Sequence, residues 1–92
     1  MRSFFVYILT TKNNKMLYIG VTNNLERRVI EHKSKEIDGY TKNYNVNKLV
    51  FFQEFQTANE AIDAEKKLKG WLRSKKDALI TEFNPEWVEL AV

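Results

Sequence analysis

Ser3-Phe4-Phe5-Val6-Tyr7-Ile8-Leu9-Thr10, then a polar Lys12-Asn13-Asn14-Lys15 link, then Met16-Leu17-Tyr18-Ile19-Gly20-Val21 open the chain. Both apolar segments are rich in β-branched and aromatic residues, which suit a pleated, half-buried surface, so together they predict a β-hairpin. Asparagine tolerates positive φ. A two-residue primed turn at Asn13-Asn14 sets Leu9 opposite Tyr18, with Tyr7 diagonally beside it on the same face. An odd-length turn would instead send the two tyrosines to opposite faces.

Outward from the hairpin, Thr22, Asn23 and Asn24 offer helix caps before Leu25 to Lys33, a segment without a helix breaker. Leu25, Val29 and His32 fall on one face of that helix, with Arg28 at its edge. Val46 to Phe55 reads as a third strand, preceded by a loop from Asp38 to Asn45. Thr57 followed by Glu60 is a capping-box signature, opening a helix from Ala58 to about Lys69 or beyond, despite Gly70. A last helix from Lys75 to Phe83 ends before Asn84-Pro85, because the residue preceding proline is pushed out of the α region.

Ninety-two residues fit one compact domain, 1–92, and 43 % hydrophobic with 13 % aromatic residues is a globular composition. The absence of cysteine excludes disulfides, thiolate zinc sites and a cysteine nucleophile, and accords with a cytoplasmic location. The longest apolar run, Phe4 to Leu9, is too short to cross a bilayer and lacks the basic leader of a signal peptide. A net charge of +3 is a mild bias toward polyanions and decides nothing alone.

The chemistry concentrates in a few positions. On a helical wheel Ala58, Ala61, Ile62, Leu68 and Leu72 form the apolar stripe of the second long helix, and Glu65 lies in its middle. A carboxylate aimed at the core must be paired, hold a cation or line a cleft, and Lys69, one turn on, is the simplest partner. Tyr7 and Tyr18 are read either as core residues with satisfied hydroxyls or as site residues. Arg28 and His32 are equally open, as a solvated face or as functional groups. Two phenols, a guanidinium, an imidazole and one inward carboxylate together supply what phosphodiester cleavage needs: a base for water, a cation for phosphate charge and a metal ligand. Lys66, Lys67, Lys69, Arg73, Lys75 and Lys76 surround Trp71, a density suited to phosphate contacts, with Trp71 either core or a stacking surface.

Val6-Tyr7-Ile8, the triplet Tyr18-Ile19-Gly20 placed eleven residues after Tyr7, then Asn24-Leu25 and Arg28 resemble the signature of the GIY-YIG nuclease superfamily. The likeness is closest to small stand-alone members related to the N-terminal nuclease domain of the excision-repair protein UvrC. The resemblance implies an α+β fold with a central three-stranded antiparallel sheet flanked by helices. It implies hydrolysis of DNA phosphodiesters with one divalent ion, Mg²⁺ or Mn²⁺, held by Glu65. In that picture Arg28 and His32 stabilise the phosphate, Tyr7 or Tyr18 helps deprotonate water, and Asn84 closes the catalytic set. Two departures stand out: the first triplet is not Gly-Ile-Tyr, and Val21 occupies a position where UvrC-like domains tend to carry lysine. With no appended DNA-binding domain expected, targeting falls to DNA shape, a protein partner or dimerisation. A nucleic-acid-binding module of the same fold without turnover is the alternative reading.

Overall fold

The computed structural model describes residues 2–92. The strands are β1 (Phe4–Thr10), β2 (Leu17–Thr22) and β3 (Lys48–Phe55), and the helices α1 (Leu25–Lys33), α2 (Tyr40–Asn43), α3 (Ala58–Lys69) and α4 (Arg73–Phe83). Both β2 and β3 pair antiparallel with β1, giving the order β2-β1-β3. This is the three-stranded antiparallel sheet flanked by helices that the resemblance implies.

The hairpin register is the predicted one, with Leu9 opposite Tyr18 and Thr10 opposite Leu17. The turn itself differs. A primed type I turn needs positive φ at both central residues. Only Asn14 adopts it, at φ 62°, and its N–H donates to the Thr11 carbonyl at 2.9 Å. The ladder therefore stops at Thr10 and Leu17, leaving residues 11–16 as a loop in which Thr11 Oγ1 accepts from the Lys15 N–H at 3.0 Å and donates to Asn13 Oδ1 at 2.7 Å.

β1 is buried without alternation from Val6 to Thr10, as a central strand covered on both faces must be. On one face Val6, Ile8 and Ile19 pack with Ala61 and Leu68 of α3 and Ile80 of α4. On the other, Tyr7, Leu9 and Leu49 pack with Leu25 and Val29 of α1 and with Val46. A bulge in β3, where Ile8 opposes Phe51 but Leu9 opposes Leu49, leaves Val50 as the extra residue. Val50 and Phe51 both join the α3 and α4 side of the core.

Helix starts follow the sequence signals. Asn24 caps α1 by accepting from the Arg27 N–H at 3.1 Å, and Thr57 caps α3 by accepting from the Glu60 N–H at 3.2 Å. α3 ends at Lys69 as expected, and two boundaries differ, the starts of α4 and β3. The Gly70 N–H bonds to the Lys66 and Lys67 carbonyls and the Trp71 N–H to Leu68, closing α3 and turning the chain. Leu72 therefore leaves the predicted stripe: it is 79 % exposed and precedes α4, which starts at Arg73 instead of Lys75. Val46 lies before β3, its N–H held by the Thr41 carbonyl, because Asn45 at φ 55° bends the chain out of strand geometry. The loop from Asp38 to Asn45 contains α2, four residues too short to give a periodic signal. Among the described residues no helix is long and apolar enough to cross a membrane.

Candidate active site on the α1 face of the sheet

The alternation of β1 and β2 brings Tyr7 and Tyr18 to the face covered by α1, whose Leu25, Val29 and His32 point inward. Tyr7 and Tyr18 ring centroids are 6.2 Å apart, and the His32 ring lies 5.8 Å from Tyr7 and 5.5 Å from Tyr18. The Tyr7 hydroxyl is 3.0 Å from His32 Nε2, and His32 Nδ1 is 3.1 Å from Thr41 Oγ1. Two tautomers complete this chain. In one, Tyr7 donates to Nε2 while Nδ1–H donates to Thr41; in the other, Nε2–H donates to Tyr7 and Thr41 donates to Nδ1.

Gly20 makes room for the arrangement. It stands opposite Tyr7 in the ladder, and a Cβ there would come within 2.5 Å of the Tyr7 Cζ and hydroxyl oxygen. Glycine lets the phenol lie across β2 toward His32.

Tyr7 is fully buried and Tyr18 half-buried. Burial first, and then the neighbouring Tyr18, push the Tyr7 phenol well above its ordinary range, against the lowering pull of the Arg28 charge. Burial and the Arg28 cation hold the His32 imidazole below its ordinary pKa, outweighing Glu31. At neutral pH the cluster is thus an uncharged phenol against an uncharged imidazole. Arg28 adds a cation at its edge. Its buried Nε ion-pairs with Glu31 Oε1 at 3.1 Å, without the alignment of a hydrogen bond.

The other site residues expected from sequence come from other elements. Glu65, on the helix that packs against the opposite face, is one-fifth exposed and pairs with Lys69 Nζ at 3.3 Å. It makes no hydrogen bond or ion pair with Tyr7, Tyr18, Arg28 or His32, and no group of three or more His, Cys, Asp or Glu side chains that could hold a metal occurs among the described residues. A cage of protein ligands is therefore not built into the described fold. Mg²⁺, however, takes one or two carboxylates and completes its shell with waters and substrate phosphates. Glu65, held only by one exposed lysine in a weak surface pair, fits that habit.

Asn84 is buried and caps the end of α4. Its amide donates to the carbonyls of Val50 at 3.1 Å and Val88 at 2.8 Å, and its Oδ1 accepts from the Val88 N–H at 3.2 Å. Both amide protons are used within the fold. Of the basic set, Arg73 bonds Asp77 and the carbonyls of Asn14 and Lys15, Lys75 stands 4.1 Å over the Trp71 ring, and Lys69 holds Glu65. Trp71 itself packs against the core. Lys66, Lys67 and Lys76 have no ion-pair partner among the described residues.

Sequence reasoning does not single out Thr41, and it reads Gly20 only as part of the Tyr18-Ile19-Gly20 triplet, with no role of its own. Gly20 carries a signal, its fixed place after Tyr18-Ile19. Thr41 carries none, since a threonine in a polar loop is unremarkable until α2 folds back on α1.

The GIY-YIG catalytic domain family matches residues 3–78 of the chain. A UPF0213 protein of Haloquadratum walsbyi is 37 % identical over 78 residues, spanning 85 % of this chain and 86 % of that protein. The UPF0213 protein YazA of Bacillus subtilis is 37 % identical over 78 residues, spanning 85 % and 78 %. Among solved structures, the solution NMR structure of a UPF0213 protein from Bacillus halodurans superposes with a TM-score of 0.55 at 32 % identity, over 86 % of this chain and 83 % of that one.

Proposed function

The chain belongs to the GIY-YIG family, a nuclease-type domain, and from that premise we propose that it is a DNA endonuclease that hydrolyses phosphodiester bonds with one divalent ion, Mg²⁺ or Mn²⁺. Structure-directed cleavage of the kind DNA repair uses is the form of activity proposed. The observation that carries the reading is the convergence of Tyr7, Tyr18 and His32 on one face, with the Arg28 cation at its edge.

Arg28 is the group that meets the phosphate: its guanidinium stands at the edge of the cluster, paired only with the partly exposed Glu31, and favours the charge that develops during hydrolysis. Tyr18, the more accessible phenol, hydrogen-bonds and orients the attacking water. Tyr7 is enclosed and acts through His32. A proton released as water attacks has one basic acceptor in the Tyr7–Tyr18–His32 cluster, the uncharged imidazole, reached through the Tyr7 hydroxyl. The Tyr7 phenol, held in its neutral form by burial, already carries its proton and can only pass one on, so the imidazole is where the proton comes to rest. Glu65 is the ligand for the divalent ion, which when bound neutralises phosphate charge. Lys66, Lys67 and Lys76 supply phosphate contacts along the DNA, whereas Lys69, Arg73 and Lys75 are engaged within the protein. Asn84 serves as a positioning residue for the end of α4.

The test is incubation with supercoiled, nicked and branched DNA in Mg²⁺, in Mn²⁺ and with chelator. Cleavage is expected with either ion, and Arg28→Ala should lower it on the order of 10²–10³-fold, as removal of a transition-state donor does. Absence of product from every substrate, or a Glu65→Gln variant as active as the parent, sinks the metal-dependent nuclease. Salt-sensitive binding without product would instead favour a binding module of the same fold.

A further inference from the structure

A pocket lies at the tip of the β1–β2 hairpin, outside the Tyr7–Tyr18–His32 cluster. It encloses about 630 Å³ between Thr11, Lys12, Asn13, Lys15, Met16 and Tyr44. Three features set it apart from an ordinary loop crevice. Tyr40 and Tyr44 are 42 % and 55 % exposed, with ring centroids 5.5 Å apart, so α2 and the residue that caps its end present two adjacent aromatic rings to solvent. Lys12 and Lys15 on the facing loop are exposed and without ion-pair partners among the described residues. The loop is also pinned from outside: Arg73 donates to the Asn14 and Lys15 carbonyls at 2.8 and 2.7 Å, and Lys48 Nζ donates to Asn14 Oδ1 at 2.7 Å.

Exposed aromatic rings next to free ammonium groups on a rigid frame are the chemistry of single-strand recognition, in which bases stack and the backbone is neutralised. Within a duplex the base faces are stacked on one another and closed to such rings. The pocket also communicates with the active-site face. Met16, on its wall, packs into the cluster of Tyr7 and Leu9, and α2 carries both Tyr40 and the Thr41 that holds His32.

We propose that this pocket is a binding site for an unpaired stretch of DNA, with a base stacked on Tyr44 and its flanking phosphates held by Lys12 and Lys15. The proposal rests on the nuclease reading for its choice of DNA, and would make the preferred substrate a duplex bearing an unpaired strand.

Fluorescence anisotropy tests it in chelator, where no cleavage occurs, with a labelled oligothymidylate and a blunt duplex of equal length as probes. The single strand is expected to bind on the order of tenfold more tightly than the duplex. Tyr44→Ala should lower single-strand affinity roughly 5- to 100-fold, the range for one stacked base. Tyr44→Phe should retain it, since stacking uses the ring and not the hydroxyl. Joint replacement of Lys12 and Lys15 by alanine should weaken binding to the single strand and flatten its salt dependence. Tyr44 is exposed, and unchanged thermal unfolding of its variants establishes that the fold is intact. Equal affinity for both probes, a Tyr44→Ala variant that keeps the preference, or a Tyr44→Phe variant that loses it overturns the site. A chain that shows Tyr44-dependent binding but never cuts would sustain the site and sink the nuclease; one that cuts but ignores Tyr44 would do the reverse.

Discussion

At the scale of single residues, the protein spends stability on polarity where an apolar core would be simpler. Tyr7, His32 and Thr41 are all buried, and each polar atom on the imidazole has a partner. Such a network is favourable only when complete, because an orphaned buried group costs about 1–3 kcal/mol. His32 also makes stability depend on pH. Its pKa is lower folded than unfolded, so between those values the unfolded chain binds more protons and stability rises with pH. The contribution is full above about pH 6.5, the ordinary histidine value, and is lost as pH falls below it. Urea midpoints between pH 5 and 8 should show this slope, and His32→Gln should flatten it; a parent curve already flat across that window would contradict a neutral buried His32.

At the scale of elements, the edges of the sheet are held by side chains that the strand pattern does not announce. Asn84 joins the end of α4 to β3 through Val50 and to the C-terminal segment through Val88. Glu89 accepts from the Leu49 N–H at 2.9 Å and pairs with Lys33 at 2.6 Å, while the Leu90 N–H donates to the Leu49 carbonyl, so the same segment clamps β3 to α1. Asn84→Ala leaves two carbonyls and one N–H without this partner and should destabilise the fold by about 2–3 kcal/mol, read from denaturant unfolding. A loss below about 0.5 kcal/mol, the range of a surface substitution, would mean that the asparagine is not the tie described. The element boundaries legible in sequence were those with a local chemical cause. Asn24 and Thr57 cap helices whose starts were predicted, and Pro85 marks the end of α4. The position of Leu72 was not legible, because whether a helix continues through Gly70 depends on what its next turn can pack against.

At the scale of the whole molecule, a small excess of positive charge matters through where it is left unpaired. Lys66, Lys67 and Lys76 are free of ion pairs among the described residues, whereas Lys69, Arg73 and Lys75 are engaged. Replacing Lys66, Lys67 and Lys76 together by alanine should reduce the slope of log affinity against log salt for duplex DNA by about 0.9 for each phosphate that the variant no longer neutralises. The same exchange at Lys69, Arg73 and Lys75 should change it less, and equal slopes would remove the distinction drawn between the two sets. The sequence alone determined the hairpin, the third strand, the capped helices and the inward side of α1, because each follows from an alternation, a helical repeat or a cap within a few residues, but it left the hairpin register open between an even and an odd turn. The observed register, with Leu9 opposite Tyr18, is what brings Tyr7 and Tyr18 to one face, since side-chain direction in a strand has period two. Tertiary structure decided the rest. Thr41 meets His32, Arg73 staples the hairpin loop and Glu65 lies on the helix of the opposite face, since these placements depend on how elements distant in the chain pack, and no local pattern encodes that distance.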